Sequence, residues 1–143
     1  AFTVVGFKYH GKNENDEIKE MWNVFNNRID ELLAVADVGP AAYGVCGNTQ
    51  ADGSFDYLAG LEILSIDHLP EGMEQWTVPE QTYAIFPCTI PTIHAAYRYA
   101  FEEWLPRSGY RRAEGPDFEY YDETFDLEDA DRSQLYVYIP IAR

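Results

Sequence analysis

Apolar positions along this chain recur in two rhythms, a period near two and a period near three and a half, and the rhythms follow the same order twice. Phe2 to Tyr9 is a β-branched and aromatic run that predicts a strand. Gly11 to Asp16 interrupts it, with Asn15 or Asp16 placed to cap a helix and Glu17 suited to its positive end. Ile18, Met21, Trp22, Phe25, Ile29, Leu32 and Leu33 then stand at offsets 0, 3, 4, 7, 11, 14 and 15, a helical stripe over about four turns that Gly39-Pro40 is expected to end. Ala42 to Asn48 and Phe55 to Ile66 read as two strands of a hairpin, with Asp52-Gly53 as the turn signal between them.

The second pass begins after a loop at Asp67 to Gly72. Met73 to Val78 and Gln81 to Cys88 are strand-like and meet at Pro79-Glu80. Thr92 is a candidate cap for a second helix, in which Ile93, Tyr97, Ala100, Phe101, Trp104 and Leu105 fall at offsets 0, 4, 7, 8, 11 and 12. Pro106 is expected to stop it and Ser108-Gly109 to turn the chain. Asp117 to Tyr121 is a strand and Asp122 to Arg132 an acidic loop. Gln134 to Ile141 is the last strand, with Leu135, Val137, Ile139 and Ile141 on one face and Tyr136 and Tyr138 on the other.

Strand–helix–hairpin therefore occurs twice. The expected fold is α+β, a tandem strand–helix–hairpin repeat (an SHS2-like pair) with helices against a mixed or antiparallel sheet. It would form a single domain over 1–143 with pseudo-repeats at roughly 1–68 and 69–143. The seam between two similar halves is where a ligand groove is expected, with Trp22 and Trp104 near it.

Composition narrows the function. Ten Lys and Arg against 25 Asp and Glu leave a formal charge of −15. Such a surface repels phosphate backbones and anionic membranes, which argues against direct nucleic-acid or membrane binding and favours approach by cations. Two cysteines, each in an apolar run, fit a reducing compartment. With no long apolar segment and no charged leader at Ala1, a cytoplasmic location is expected. His10, His68 and His94 are scattered, and no metal-ligand spacing or Gly-rich phosphate loop is present, so no metal and no cofactor is expected. Asp126 to Asp131 lacks the glycine and closing glutamate of a calcium loop and reads as a solvated turn.

What remains is aromatic and carboxylate chemistry. Eleven Tyr and eight Phe give an excess of flat faces, and a cation over such a face gains about 0.5–2 kcal/mol. Glu119 sits in a strand between Phe118 and Tyr120, where Glu is depleted. It is either a solvent-facing residue or a carboxylate at the bottom of an aromatic pocket. Alternation puts Phe118 and Tyr120 on one face and Glu119 with Tyr121 on the other, and leaves open which face lines a groove. Candidate wall residues are Trp22, Tyr43, Tyr57, Trp76, Tyr97, Trp104, Phe118 and Tyr136.

An ordered set of short motifs carries a resemblance: Met21-Trp22 with Phe25 and Ile29, Phe55-x-Tyr57-x-x-Gly60, Tyr83-Ala84-x-Phe86, Trp104-Leu105-Pro106-x-Ser108-Gly109-Tyr110, and Pro116-Asp117-Phe118-Glu119-x-Tyr121. Together they resemble the GyrI-like effector-binding domain, the ligand-sensing half of AraC-type and MerR-type multidrug regulators. They are similar in particular to its free-standing, cationic-drug-binding form carried in integron cassettes. The resemblance implies a pocket between two strand–helix–hairpin units, with Glu119 at the acidic position that pairs with a drug's positive charge. It implies a binding module for lipophilic cations in preference to an enzyme, with no catalytic residues. The missing helix-turn-helix leaves DNA contact to a separate partner. Two alternatives stay open. One is hydrolysis of electrophilic cyclopropane-bearing compounds by a Glu/Tyr pair such as Glu119 and Tyr57. The other is a protein inhibitor of gyrase.

Overall fold

The computed structural model describes residues 1–126, 129 and 131–143. The elements run β1 (Phe2–Gly11), α1 (Glu17–Leu33), β2 (Ala36–Gly47), β3 (Phe55–Ile66), β4 (Glu74–Val78) and β5 (Tyr83–Cys88). A second helical rod follows: a 3₁₀ turn (Ile90–Thr92), α2 (Ile93–Arg98), a π-helical turn (Tyr99–Trp104) and α3 (Leu105–Ser108). β6 (Arg111–Arg112), β7 (Asp117–Tyr121) and β8 (Leu135–Ala142) complete the chain. The strands form one antiparallel sheet in the order β4-β1-β3-β2-β7-β8-β5, with β6 on β8. Its centre, β1-β3-β2 against β7-β8-β5, repeats one strand–helix–hairpin unit about the β2–β7 pair, which is the seam. The α+β fold expected from the periodicity is the observed one.

Period-two alternation sorts the strand residues into two layers. Val4, Tyr43, Val45, Leu58 and Phe118 fill one face, where the sheet curls on itself so far that the Phe2 ring on β1 reaches Phe118 on β7 at 5.3 Å. Gly6 and Gly60 are register partners in that curl, and a side-chain carbon on either would run into the other strand's backbone. The opposite face carries both helices. α1 covers Val5 and Ile63 with Phe25 and Leu32, and the second rod covers Leu135, Val137 and Ile139 with Ala100. A fully buried side chain such as Phe25 or Leu32 contributes about 1.5–3 kcal/mol over leaving it exposed.

The structure departs from the sequence pattern at several points. Asp16 stands at the start of α1 in the left-handed region (φ 59°) and makes no capping bond, because capping side chains reach the helix from extended backbone. The Asn13 side-chain oxygen accepts from Ile18 N–H instead. Leu33 belongs to the predicted apolar stripe but is 46% exposed. Gly39-Pro40 does not end α1. It lies within β2, where pairing to β3 jumps from Val38 to Ala42, because proline has no N–H for the ladder. β4 and β5, adjacent in sequence, lie at opposite edges: β4 extends the first unit by pairing with β1, and β5 pairs with β8.

Pro106 sits inside the second rod rather than beyond it. The preceding turn is π-wound, with Leu105 N–H donating to the Ala100 carbonyl five residues back, and the rod ends at Gly109 (φ 80°). Widening the turn relieves the clash a proline ring makes with the carbonyl four residues earlier. Trp104, expected at the seam, leaves that turn on its far side. It packs on Phe86 of edge strand β5 at 5.5 Å and stacks on Tyr110.

Candidate functional site

The seam brings β2, β3 and β7 together under both helices, and one carboxylate lies at its centre. Alternation turns Glu119 toward the helix side, and it is 9% exposed. Tyr57 of β3 donates its hydroxyl to Glu119 Oε1 at 2.7 Å, and Tyr121 donates to the same oxygen at 2.8 Å. Trp22 of α1 donates its ring N–H to the Tyr57 hydroxyl at 2.9 Å and packs edge-on against Tyr121 at 5.4 Å. Among the described residues no cationic side chain is paired with Glu119.

Gly44 makes this crossing feasible. It is the register partner of Glu119, and a β-carbon there would lie 1.9 Å from the Tyr57 hydroxyl and 2.7 Å from Glu119 Oε1. Any other residue would displace the hydrogen bond. From the second rod comes Tyr97, whose hydroxyl is buried without a hydrogen-bond partner. The Cys46 thiol beside it is too weak a partner to satisfy a phenol.

Burial sets the protonation states. Removal from water pushes the Glu119 carboxyl up to about 7, against the opposing pull of the Tyr57 and Tyr121 hydroxyls, and Asp117 two residues away adds to the rise. Burial first, then the Glu119 charge, pushes both tyrosines well above the ordinary phenol range, so they remain donors. The Cys46 thiol is likewise pushed up, by burial, Asp117 and Glu119, and stays neutral. The result is a carboxyl group poised between its two forms near neutrality, with aromatic neighbours and, among the described residues, no paired counter-charge.

Of the residues singled out in the sequence, the structure brings together Glu119, Tyr57 and Trp22, with Tyr97 alongside. Tyr43, Phe118, Trp76 and Tyr136 lie on the other face of the sheet, where Tyr43 and Phe118 pack at 5.5 Å. Trp104 is at the outer edge. Tyr121 and Gly44 join the cluster without having been named as site residues. Strand alternation already put Tyr121 beside Glu119, but pairing Gly44 with Glu119 needs the β2–β7 register. Two cavities, of about 570 and 330 Å³, both border the second helical rod, and neither is lined by Glu119. Among the described residues no three metal-ligating side chains come together, and no helix is long and apolar enough to cross a membrane. The Asp126–Asp131 run lies partly outside the described residues.

A duplicated strand–helix–hairpin sheet of this kind is the fold of an effector-binding domain. Residues 1–141 match the family described as Cass2, integron-associated effector binding protein, and the chain belongs to that family. It is 37% identical over 143 residues to the transcriptional regulator BrlR of Pseudomonas aeruginosa, covering 99% of this chain and 52% of BrlR, so it spans about half the length of that relative. Its fold is similar to the integron cassette protein VCH_CASS2 of Vibrio cholerae, with TM-score 0.69, 22% identity and coverage of 99% of this chain and 90% of that one. It is also similar to SAV2435 solved bound to tetraphenylphosphonium, with TM-score 0.64, 15% identity and coverage of 99% and 88%.

Proposed function

We propose that this chain binds lipophilic organic cations on the helix side of its seam, with Glu119 as the charge that selects them. The observation that carries the reading is a buried carboxylate held by two tyrosine hydroxyls and paired with no cation among the described residues. Membership of an effector-binding family and the tetraphenylphosphonium bound to SAV2435 support the ligand class. Trp22, Tyr57, Tyr97 and Tyr121 would supply ring faces, and apolar contact would give most of the affinity at roughly 25 cal/mol per Å². The charge would give discrimination, because a neutral molecule leaves the carboxylate desolvated and unpaired. Ligand entry requires the cover over Glu119 to open, since the residue is 9% exposed here. With a charge of −15, DNA contact is assigned to a partner or to a segment outside this span.

Glu119→Gln keeps the shape and removes the charge. Losing one member of a buried charged pair costs about 2–5 kcal/mol, so titration calorimetry with tetraphenylphosphonium should show affinity at least tenfold lower, while tetraphenylmethane-like neutral isosteres should hold or improve. Equal losses for cation and neutral ligand would make Glu119 a structural residue. No loss for the cation would refute the reading. A hydrolytic use of the site is the second reading, favoured by the 2.7 Å Tyr57–Glu119 hydrogen bond. Turnover of an electrophilic cyclopropane, abolished by Tyr57→Phe, would replace the binding-only role.

A further inference from the structure

The larger cavity, about 570 Å³, opens where β2 ends and β7 begins, between Gly47, Phe101, Arg112, Glu114, Gly115 and Asp117. That volume suits a small organic ligand. Its floor is a charged seat distinct from Glu119. The Asp117 side chain is only 15% exposed, and its Oδ1 accepts from an Arg112 guanidinium nitrogen at 3.2 Å. The same nitrogen donates to the Gly115 carbonyl at 3.2 Å, and the other terminal nitrogen donates to the Ala113 carbonyl at 2.8 Å. Three acceptors thus converge on one planar, donor-rich cation. Gly115 takes the left-handed region (φ 130°), which turns the chain at this seat, and Phe101 forms an aromatic wall.

Arg112 is 37% exposed, and although its backbone pairs with β8, every acceptor its guanidinium meets lies within five residues, so the side chain is held by a local turn. Its guanidinium is a replaceable occupant. We infer that this cavity is a second ligand site, selective for small aryl amidinium or guanidinium cations, in which Arg112 acts as a built-in competitor for Asp117. The seat needs N–H donors to match Asp117 Oδ1 and the two carbonyls, and a flat ring to lie on Phe101. A phosphonium, which has no donors, gains nothing from it. Burial raises the Asp117 carboxyl, and Arg112 draws it only part of the way back down. The acidic surface raises the local concentration of such ligands.

Benzamidine is the probe, with benzamide as its neutral match and tetraphenylphosphonium as the donor-free cation. Arg112→Met keeps the stem and vacates the seat. Calorimetry should show benzamidine affinity at least tenfold higher than in the unmodified protein, with benzamide and tetraphenylphosphonium unchanged. Adding Asp117→Asn should abolish that gain, and Glu119→Gln should leave it intact. In the unmodified protein, amide shifts of Gly47, Asn48 and Gly115 should move with millimolar benzamidine, which keeps the test in force should the variant fold poorly. A gain below twofold, an equal gain for benzamide, or absent shifts at those amides would overturn the inference. Loss of benzamidine binding with Glu119→Gln would also overturn it, by placing the amidinium at the seam. The seam reading itself fails separately, on tetraphenylphosphonium.

Discussion

The two strand–helix–hairpin units put their helices to different use. In the first unit α1 is regular over 17 residues and its Phe25 and Leu32 are buried against Val5 and Ile63. In the second unit the rod changes winding three times, from 3₁₀ to α to π and back to α. It is this rod that borders both cavities and carries Tyr97, with its unpartnered buried hydroxyl, over the seam. The second unit combines bordering void space, an irregular backbone and a buried hydroxyl without a hydrogen-bond partner next to a buried carboxyl group. Such features lower the cost of opening, so the second rod is the wall predicted to move.

The largest expected effect tests the packed half. Phe25→Ala should destabilise the protein by about 3–5 kcal/mol, because a fully buried ring is lost from a dense layer. Ile93→Ala, on a partly buried position of the second rod, should cost about 2 kcal/mol, the low end for an aliphatic truncation. Urea denaturation of both variants makes the comparison, and equal losses would break it.

A smaller effect comes from the seam carboxylate. In the folded chain Glu119 holds its proton up to about pH 7, against an ordinary value of 4.5. The folded state therefore binds more protons than the unfolded one between those values. The contribution of Glu119 to stability falls as pH rises through that window and is level above it, by roughly 3 kcal/mol in all. Thermal melts of the unmodified protein and Glu119→Gln should accordingly diverge from pH 5 to pH 8, with the variant gaining. Cation affinity should run the other way. It should rise about tenfold per pH unit below 7 and flatten above, because only the carboxylate pairs with the ligand. A flat affinity profile from pH 5 to 8 would remove Glu119 from cation selection.

The smallest effect is dynamic. Backbone amides within residues 93–108 should exchange with solvent faster than those within 17–33, as measured by native-state hydrogen exchange. Uniform protection of the two helices would mean the irregular winding is rigid, and ligand entry would have to come from α1.

Much of this fold was legible in the order of residues. The period of Ile18 to Leu32, the alternation through Leu135 to Ile141, and the Asp52-Gly53 turn are local signals, because one residue's neighbours on a helix or strand are set by short offsets. They yielded β3, β7 and β8 nearly to the residue and the start of α1, though not its end, and they paired Glu119 with Tyr121 on one face. What alternation could not say was which face the helices cover. That depends on which of two aromatic-rich layers buries more area, and both Phe118 and Tyr121 were plausible on composition. Nor could spacing show that Gly44 stands opposite Glu119, or that Tyr57, 62 residues away, donates to it. Register between distant strands is fixed by the sum of contacts across the sheet. Pro106 and Gly39-Pro40 misled for the same reason. A proline breaks a helix or ladder only if the surrounding structure has no wider turn or strand irregularity to absorb it, and here tertiary packing provided both.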